Sequence, residues 1–450
     1  MAWTKIALIL SLTIFIAFSA AIQDDNESDQ SKSLMNFLRH FNRNRHHVTN
    51  PEGKQKARDF IKKTFKDLGL ITWSEQFKPD FPQYAAGFNI IGMLSGTLAG
   101  SSNDRPFLIG AHYDTMRTTA HGANDNGSGV AAMLQVAKQM ATNFQNRARS
   151  FSVLFVAFDF EEWEDCSDTT NYPKCACGEI DCGSRAFVAN FTRFYNGSLK
   201  SNGKLQGAII MDTVMNYNNT PNSQILPPST EKLLPEVYGQ IKADGFRGDF
   251  LAVAGRLVDD AALMNAFWYH YGRVKSALGD KTSMYPVNLP FHDQPDKLPA
   301  YLYNAFGDFL RSDHVPFWNN DPSMSAIFLS DTADHRSYMV SCYHQDCDNI
   351  NRVTSKMLQF LQKTSDSIVA VANDVTKLSC PQSGTIIHSY SDTSVSGDTG
   401  MKAWKVALLS VGIFILGMLI SAVAVVFYHR WKKQHGPLIT GDRPQSSANL

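Results

Sequence analysis

The stretch GAHYDTMRTTAHGANDNGSG, residues 110–129, sets His112, Asp114 and Asp125 among glycines and asparagines through which no helix or strand can run. Further on, FVAFDFEEWED ends an apolar run in the adjacent acids Glu161 and Glu162, and GAIIMDTVMNY ends another in Asp212. RSDHVPFW supplies Asp313 and His314, and CYHQDCDNI supplies Tyr343 and His344. Each motif alone has a plain reading: Asp125 and Asn126 as helix caps, the paired glutamates as a solvated turn, Asp212 as a turn former. Together, His112, Asp125, Glu162, Asp212 and His344 offer two imidazoles and three carboxylates at the ends of apolar runs. That donor set suits zinc, and its acid-rich balance suits two ions sharing one bridging carboxylate. Successive side chains of an extended chain point in opposite directions, so one of the paired glutamates can bind metal while the other handles a proton.

Such residues need a frame. Strand-like runs occur at FNIIGML, PFLIGAH, FSVLFVAFDF, LQGAIIMD and SAIFLS, and helical patterns separate several of them. The segment KQKARDFIKKTFKDLGL predicts an amphipathic helix, GVAAMLQVAKQMA a second, and a long C-terminal helix is expected from about Val353. Alternation of this kind predicts an α/β fold with a mainly parallel central sheet flanked by helices. In such sheets ligands bind beyond the carboxyl ends of the strands, where the candidate residues fall. From Pro221 to Arg311 the pattern is unclear, apart from a helical stretch around Ala261–Ala277; it reads as an insertion near the strand ends that lines a substrate pocket.

The chain has 450 residues, 44% of them hydrophobic and 19% charged, enough for one large domain or two ordinary ones. Forty-two basic residues balance 42 acidic ones, which argues against nucleic acid as a partner. Residues 1–22 read as a signal peptide, 23–380 as the ectodomain and 381–405 as a Ser/Thr/Gly-rich stalk. Residues 406–428, without a charge, read as a transmembrane helix before a cytoplasmic tail, 429–450. The expectation is therefore a single-pass type I membrane protein with an extracellular or lumenal catalytic domain. Cysteine usage fits that compartment: Cys166, Cys175, Cys177 and Cys182 crowd one loop, Cys342 and Cys347 flank His344, and these six are disulfide candidates, with Cys380 left over. Asn26, Asn190, Asn196 and Asn218 begin glycosylation sequons; Asn126 begins another, expected to be buried if it adjoins the site.

The ordered motifs GAHYDT, GANDNGSGV, FEE followed by GSRAF, IIMD, SDHVPF and YHQDCD resemble those of the M28 zinc aminopeptidases over roughly residues 35–378. The resemblance implies a zinc aminopeptidase/phosphorylase-like fold and hydrolysis of peptides from a free amino terminus with two Zn²⁺ per chain. Carried over, it places His112 and Asp212 on one zinc and Glu162 and His344 on the other, with Asp125 bridging. Glu161 would be the general base, Asp114 would orient His112, and Asp348 would tune the region around His344. Some family members carry a tyrosine shortly before SDH that stabilises the oxyanion; here Phe309 stands three residues before Ser312. Asp313, His314 and Tyr343 are therefore the substrate and oxyanion candidates. Two rival readings stand beside this one: a glutaminyl cyclase with a single zinc, and a catalytically silent receptor or adhesion ectodomain.

Overall fold

The computed structural model describes residues 28–79, 86–143, 147–162, 177, 182–197, 204–279, 282–292 and 294–379. All belong to one compact unit ending at Gln382. Eight strands form one sheet: β1 (Ile71–Phe77), β2 (Gly87–Leu94), β3 (Phe107–His112), β4 (Val153–Phe158), β5 (Gly207–Met211), β6 (Phe250–Arg256), β7 (Ser283–Leu289) and β8 (Ala326–Ser330), in the spatial order β1-β2-β4-β3-β5-β8-β6-β7. The helices are α1 (Asp29–Phe41), α2 (Pro51–Asp67), α3 (Gly127–Thr142), α4 (Gly183–Gly197), α5 (Thr230–Leu233), α6 (Pro235–Ala243), α7 (Ala261–Tyr271), α8 (Ala300–Ala305), α9 (Val315–Asn319), α10 (Met339–Cys342) and α11 (Ser355–Val375).

The sheet is mixed, with four of its seven pairings parallel, β6–β7 among them. Its middle, β4-β3-β5-β8, is parallel throughout, whereas β1 pairs antiparallel with β2, β2 with β4, and β8 with β6. Both faces of this middle are buried because alternate residues feed two cores. Phe107, Ile109 and Ala111 of β3 and Val153, Phe155 and Ala157 of β4 pack with α1, α2, α3, α7 and α11. Leu108, Leu154, Val156 and Phe158 face the other way, against Phe187 and Val188 of α4 and Phe317 and Trp318 of α9. Parallel pairing also sets register: His112 lies opposite Phe158, Ala111 opposite Met211, and Met211 opposite Leu329. The carboxyl ends of β3, β4, β5 and β8 are therefore level, and whatever follows them in sequence is gathered at one rim.

The expected membrane anchor is corrected. No helix among the described residues is long and apolar enough to cross a membrane. The 21-residue α11 is the longest, and it buries Lys363, Thr364, Ser365 and Ser367 along with its apolar residues while packing on α3 and α7. Residues 406–428, on which the type I topology stood, lie outside the described residues, as do 1–22, 381–405, 429–450, Asn26, Cys166, Cys175 and Cys380. Two disulfides are present among the described residues, Cys177–Cys182 and Cys342–Cys347. Asn196 lies in α4, its side chain outside the description. Asn190 is half-buried and hydrogen-bonded to Glu75, and the Asn218 amide donates to Ser337 Oγ over 2.9 Å. Asn126 is fully buried, as its place beside the site requires.

Candidate active site

The five candidate ligands converge at the rim. His112 ends β3, Glu162 follows β4 and Asp212 follows β5; Asp125 stands in the loop before α3, and His344 follows α10. His112 Nε2 is 3.6 Å from Asp125 Oδ1 and 3.4 Å from Asp212 Oδ1. His344 Nε2 is 3.2 Å from both Asp125 Oδ2 and Glu162 Oε2. Two triads of donors result, and Asp125 offers one oxygen to each. Ligands of a tetrahedral zinc about 2.0–2.1 Å away are separated by roughly 3.3 Å, the spacing found here. His112 Nε2, His344 Nε2 and Asp125 Oδ2 are buried without a hydrogen-bond partner among the described residues, and a cation in each triad would satisfy them. The residues therefore fit a zinc pair.

The electrostatics agree. Burial, then the Glu162 charge, pushes the Asp125 carboxyl up to about 8, although His344 opposes the shift. Burial likewise pushes Glu161 well above the carboxylate range, with Asp212, Glu162 and Asp313 adding to it and His112 opposing. Burial alone would lower both histidines, yet the surrounding carboxylates outweigh it, holding His112 and His344 well above their ordinary value. Without metal the cluster thus retains protons, the signature of a dry, anion-rich site that favours added positive charge.

Each donor is held by a specific neighbour. The N–H groups of Asn124 and Asp125 donate to Asp348 Oδ1 and Oδ2, each over 2.9 Å, so Asp348 shapes the Asp125 loop as well as lying near His344. The buried Arg45 guanidinium donates to the carbonyls of Tyr113, His121 and Gly122, bracing both ends of that loop. Gly122 turns it at φ +63°, where a Cβ would lie 2.5 Å from the Asp125 carbonyl oxygen. Asn126 caps α3 by accepting from Gly129 N–H, and its amide donates to Met211 O over 2.8 Å, tying the loop to β5. Ser312 Oγ donates to Asp212 Oδ2 over 3.0 Å. Asp114 lies 3.5 Å from His112 Nδ1, a long contact, while its oxygens accept from Glu161 N–H (3.3 Å) and Glu162 N–H (3.1 Å). Burial would raise Asp114, but His112 and the Lys54 ammonium hold it below the usual range.

Three residues at these junctions take left-handed backbone without being glycine: Phe160 (φ +58°), Thr213 (φ +52°) and His344 (φ +57°). Strain of this kind persists where surrounding structure over-determines it, and here it falls immediately before Glu161, immediately after Asp212 and on a candidate ligand. The Cys342–Cys347 bridge closes the loop that carries His344.

The paired glutamates diverge, but in the turn that follows β4 and the left-handed Phe160 rather than in extended strand. Glu162 reaches the His344 triad, whereas Glu161 Oε2 is 3.9 Å from His112 Nε2 and lines a cavity that Glu162 does not. The cavity, about 120 Å³, is walled by Leu234, Val237, Ile241, Phe250, Ala254 and Val287, with Glu161, Asp212 and Ser312 among its polar lining. Tyr343 also lines it and stacks on the His344 ring with centroids 3.8 Å apart. His314 does not line it. Its ring stacks on Phe328, its Nε2–H donates to Phe309 O over 2.8 Å, and burial lowers it to about 4. Asp313 is buried 3.4 Å from Cys177 Sγ and is raised to about 7, chiefly by burial.

The M28 resemblance is borne out by a family comparison: residues 89–244 match the model of peptidase family M28. The uncharacterized protein YfbL of Escherichia coli K12 is 28% identical over 322 residues, 69% of this chain and 78% of that protein. Among solved structures, a Porphyromonas gingivalis glutaminyl cyclase aligns at 17% identity and TM-score 0.48, covering 77% of this chain and 99% of its own. The Legionella pneumophila LapA aminopeptidase aligns at 15% identity and TM-score 0.48, covering 79% and 74%.

Proposed function

We propose that this M28-type chain is a zinc-dependent aminopeptidase that removes single residues with bulky apolar side chains from peptides carrying a free amino terminus. The observation that supports it most is the pair of donor triads sharing Asp125 at the mouth of an apolar cavity whose lining includes Glu161. His112 and Asp212 would hold one zinc, Glu162 and His344 the other, and Asp125 both. Bound there, zinc supplies Lewis acidity toward a scissile carbonyl and lowers the pKa of a water. Glu161 Oε2 accepts the proton of the attacking water and returns it to the leaving amine. The cavity takes the side chain of the N-terminal residue, fixing the carbonyl beside Glu161. The carboxylate-rich rim favours the substrate ammonium, and the Tyr343 hydroxyl is the candidate donor to the oxyanion. Asp114 anchors both glutamates through their backbone N–H groups and faces His112.

The purified protein, assayed on a panel of aminoacyl and N-terminal glutamine substrates with metal analysis, tests this reading. Close to two zinc per chain and release of apolar N-terminal residues, abolished by chelation, are expected. Full activity without metal overturns it. One zinc with cyclisation of N-terminal glutamine selects the glutaminyl cyclase, and zinc without turnover selects the silent ectodomain.

A further inference from the structure

Helix α2 buries a stripe made of Lys54, Ala57, Ile61 and Phe65. Three of these are ordinary core residues; the first is a lysine, 4% exposed. Its position is unfavourable twice over. An ammonium is costly to remove from water, and the first turn of a helix carries the positive end of its dipole. A residue kept under both penalties has a partner that outweighs them.

That partner is Asp159, fully buried at the end of β4, which forms an ion pair with Lys54 Nζ. The same ammonium lies 3.9 Å from the centroid of the Phe160 ring. Besides a side-chain contact with Tyr113, Asp159 accepts from backbone. Oδ2 accepts from Phe88 N–H and Oδ1 from Phe160 N–H, each over 2.9 Å. Its carbonyl accepts from Gly183 N–H over 2.7 Å, at a glycine whose Cβ would meet that carbonyl oxygen at 2.5 Å. The next residue is Phe160, in left-handed backbone, and then come Glu161 and Glu162, with both N–H groups on Asp114. The turn is thus clamped by two buried carboxylates; Lys54, which enters from α2 outside the family-matched segment 89–244, pairs directly with one and acts on the other through its charge.

We propose that Lys54 is a positioning residue for the paired glutamates. By pairing with Asp159 and seating the Phe160 ring, it fixes the strained turn so that the Glu161 carboxylate is sent toward the cavity and the Glu162 carboxylate toward His344. The inference rests on the reading of Glu161 as base and Glu162 as metal ligand. A purely stabilising role would be met equally well by an apolar pair, since uncharged replacements of buried ion pairs are often neutral or better. The two roles therefore separate experimentally.

The test uses the full chain, Lys54→Met and Lys54→Met/Asp159→Asn, followed by amide exchange of the segment containing Glu161 and Glu162, zinc titration, thermal midpoint, and kcat and KM. For Lys54→Met, exchange of that segment should quicken, while zinc affinity and kcat each fall by about 10- to 100-fold, the usual cost of losing an outer-shell partner, with KM changed less than about threefold. The doubly neutral variant, which leaves no unpaired charge, should recover the thermal midpoint but neither the exchange protection nor kcat. It decides the question on the same readouts should Lys54→Met fail to fold. Wild-type exchange and zinc affinity in Lys54→Met, or full recovery of kcat in the double variant, would overturn the proposal. A wild-type chain that binds no zinc and cleaves nothing would instead sink the aminopeptidase reading, and the exchange comparison would still report on the turn.

Discussion

The strand-end cluster and the cavity beside it share a border but are built on different principles. The cluster draws on short stretches after β3, β4 and β5 and on the His344 loop, and nearly every donor has an assigned neighbour: Asp125 has Asp348, Asp212 has Ser312, and the glutamate turn has Asp114. Its geometry comes from directional bonds, which fail when one partner is removed. Much of the cavity wall comes from the segment between Pro221 and Arg311, through side chains such as Leu234, Ile241, Ala254 and Val287. That wall is shaped by packing, which tolerates exchange of one apolar group for another at modest cost. Turnover and choice of substrate should therefore be separable by mutation.

The largest expected effect breaks the cluster and leaves the wall alone. Glu161→Gln keeps the shape of the side chain but removes the proton acceptor, so kcat should fall by about 10²–10⁴ with zinc content and folding retained. Glu162→Gln should lower zinc occupancy first, because an amide is a poorer ligand than a carboxylate, and added zinc should restore part of the activity. In both, the residual preference among N-terminal residues should stay that of the wild type. Metal analysis beside a substrate panel checks this. A Glu161→Gln protein stripped of zinc, or a Glu162→Gln protein with both metals and rate intact, reverses the assignment.

The next effect breaks the wall and leaves the cluster alone. Ala254→Phe, on β6, places a ring into the cavity, and kcat/KM for bulky apolar N-terminal residues should fall by about 10- to 200-fold relative to alanine, the range that hydrophobic pockets discriminate. Zinc content and kcat for alanine substrates should not change. Equal losses on both substrates would show that the cavity does not receive the side chain.

These two regions also differ in how far they could be read from sequence. The candidate ligands His112, Glu162 and Asp212, the paired glutamates and the strands before them were legible because each motif closes an apolar run buried on both faces, a local and strong signal, whereas Asp125 and His344 were read from the polar motifs GANDNGSG and CYHQDCDNI. The strands β6 and β7 were not legible: ITWSEQF and SMYPVNL put polar residues and a proline into the two edge strands, and FLAVAGR, an inner apolar strand, pairs only with partners distant in sequence. The first of these, β1, was missed for the same reason. Asp348 was read as serving His344 rather than the Asp125 loop, because contacts across 223 positions leave no trace in spacing. Arg45 sits in NRNRHH, a stretch that looks like solvated surface. Lys54 did leave a sign: it occupies the first place in the periodic stripe of an amphipathic helix, where an apolar residue was due.

Protons sharpen the comparison further, for they compete with metal only in the cluster. Asp125 at about 8, Asp313 at about 7, and His112, His344 and Glu161 well above their ordinary values all bind more protons folded than unfolded. Such groups stabilise the chelated protein below their unfolded pKa values, and that stability is lost as pH rises through the folded ones. His46 and His314, lowered to about 4, act in the opposite sense, but only below the ordinary histidine value. Between roughly pH 6.5 and 8 the raised groups act alone, so the chelated protein should lose stability while the gain on adding zinc grows. Denaturant midpoints of the two forms across that window check it. A zinc increment that shrinks with rising pH would contradict the assignment of His112, Asp125 and His344 as ligands.

The smallest effect is expected where the regions meet. Ser312 lines the cavity and donates to Asp212 Oδ2 over 3.0 Å, so it belongs to both. Ser312→Ala leaves the cavity wall nearly unchanged in volume and removes one hydrogen bond to a carboxylate, worth about 1.5–3 kcal/mol when the acceptor is charged and isolated. Bound zinc would supply most of the charge compensation that Asp212 needs, which reduces the loss to the orientation of one oxygen. A fall of about 3- to 10-fold in kcat/KM follows, corresponding to roughly 0.7–1.4 kcal/mol, and it should be the same for alanine and for bulky N-terminal residues. A uniform loss places Ser312 with the cluster. A loss confined to bulky substrates would place it with the wall, and the border between the two regions would then have to be drawn on the other side of Asp212.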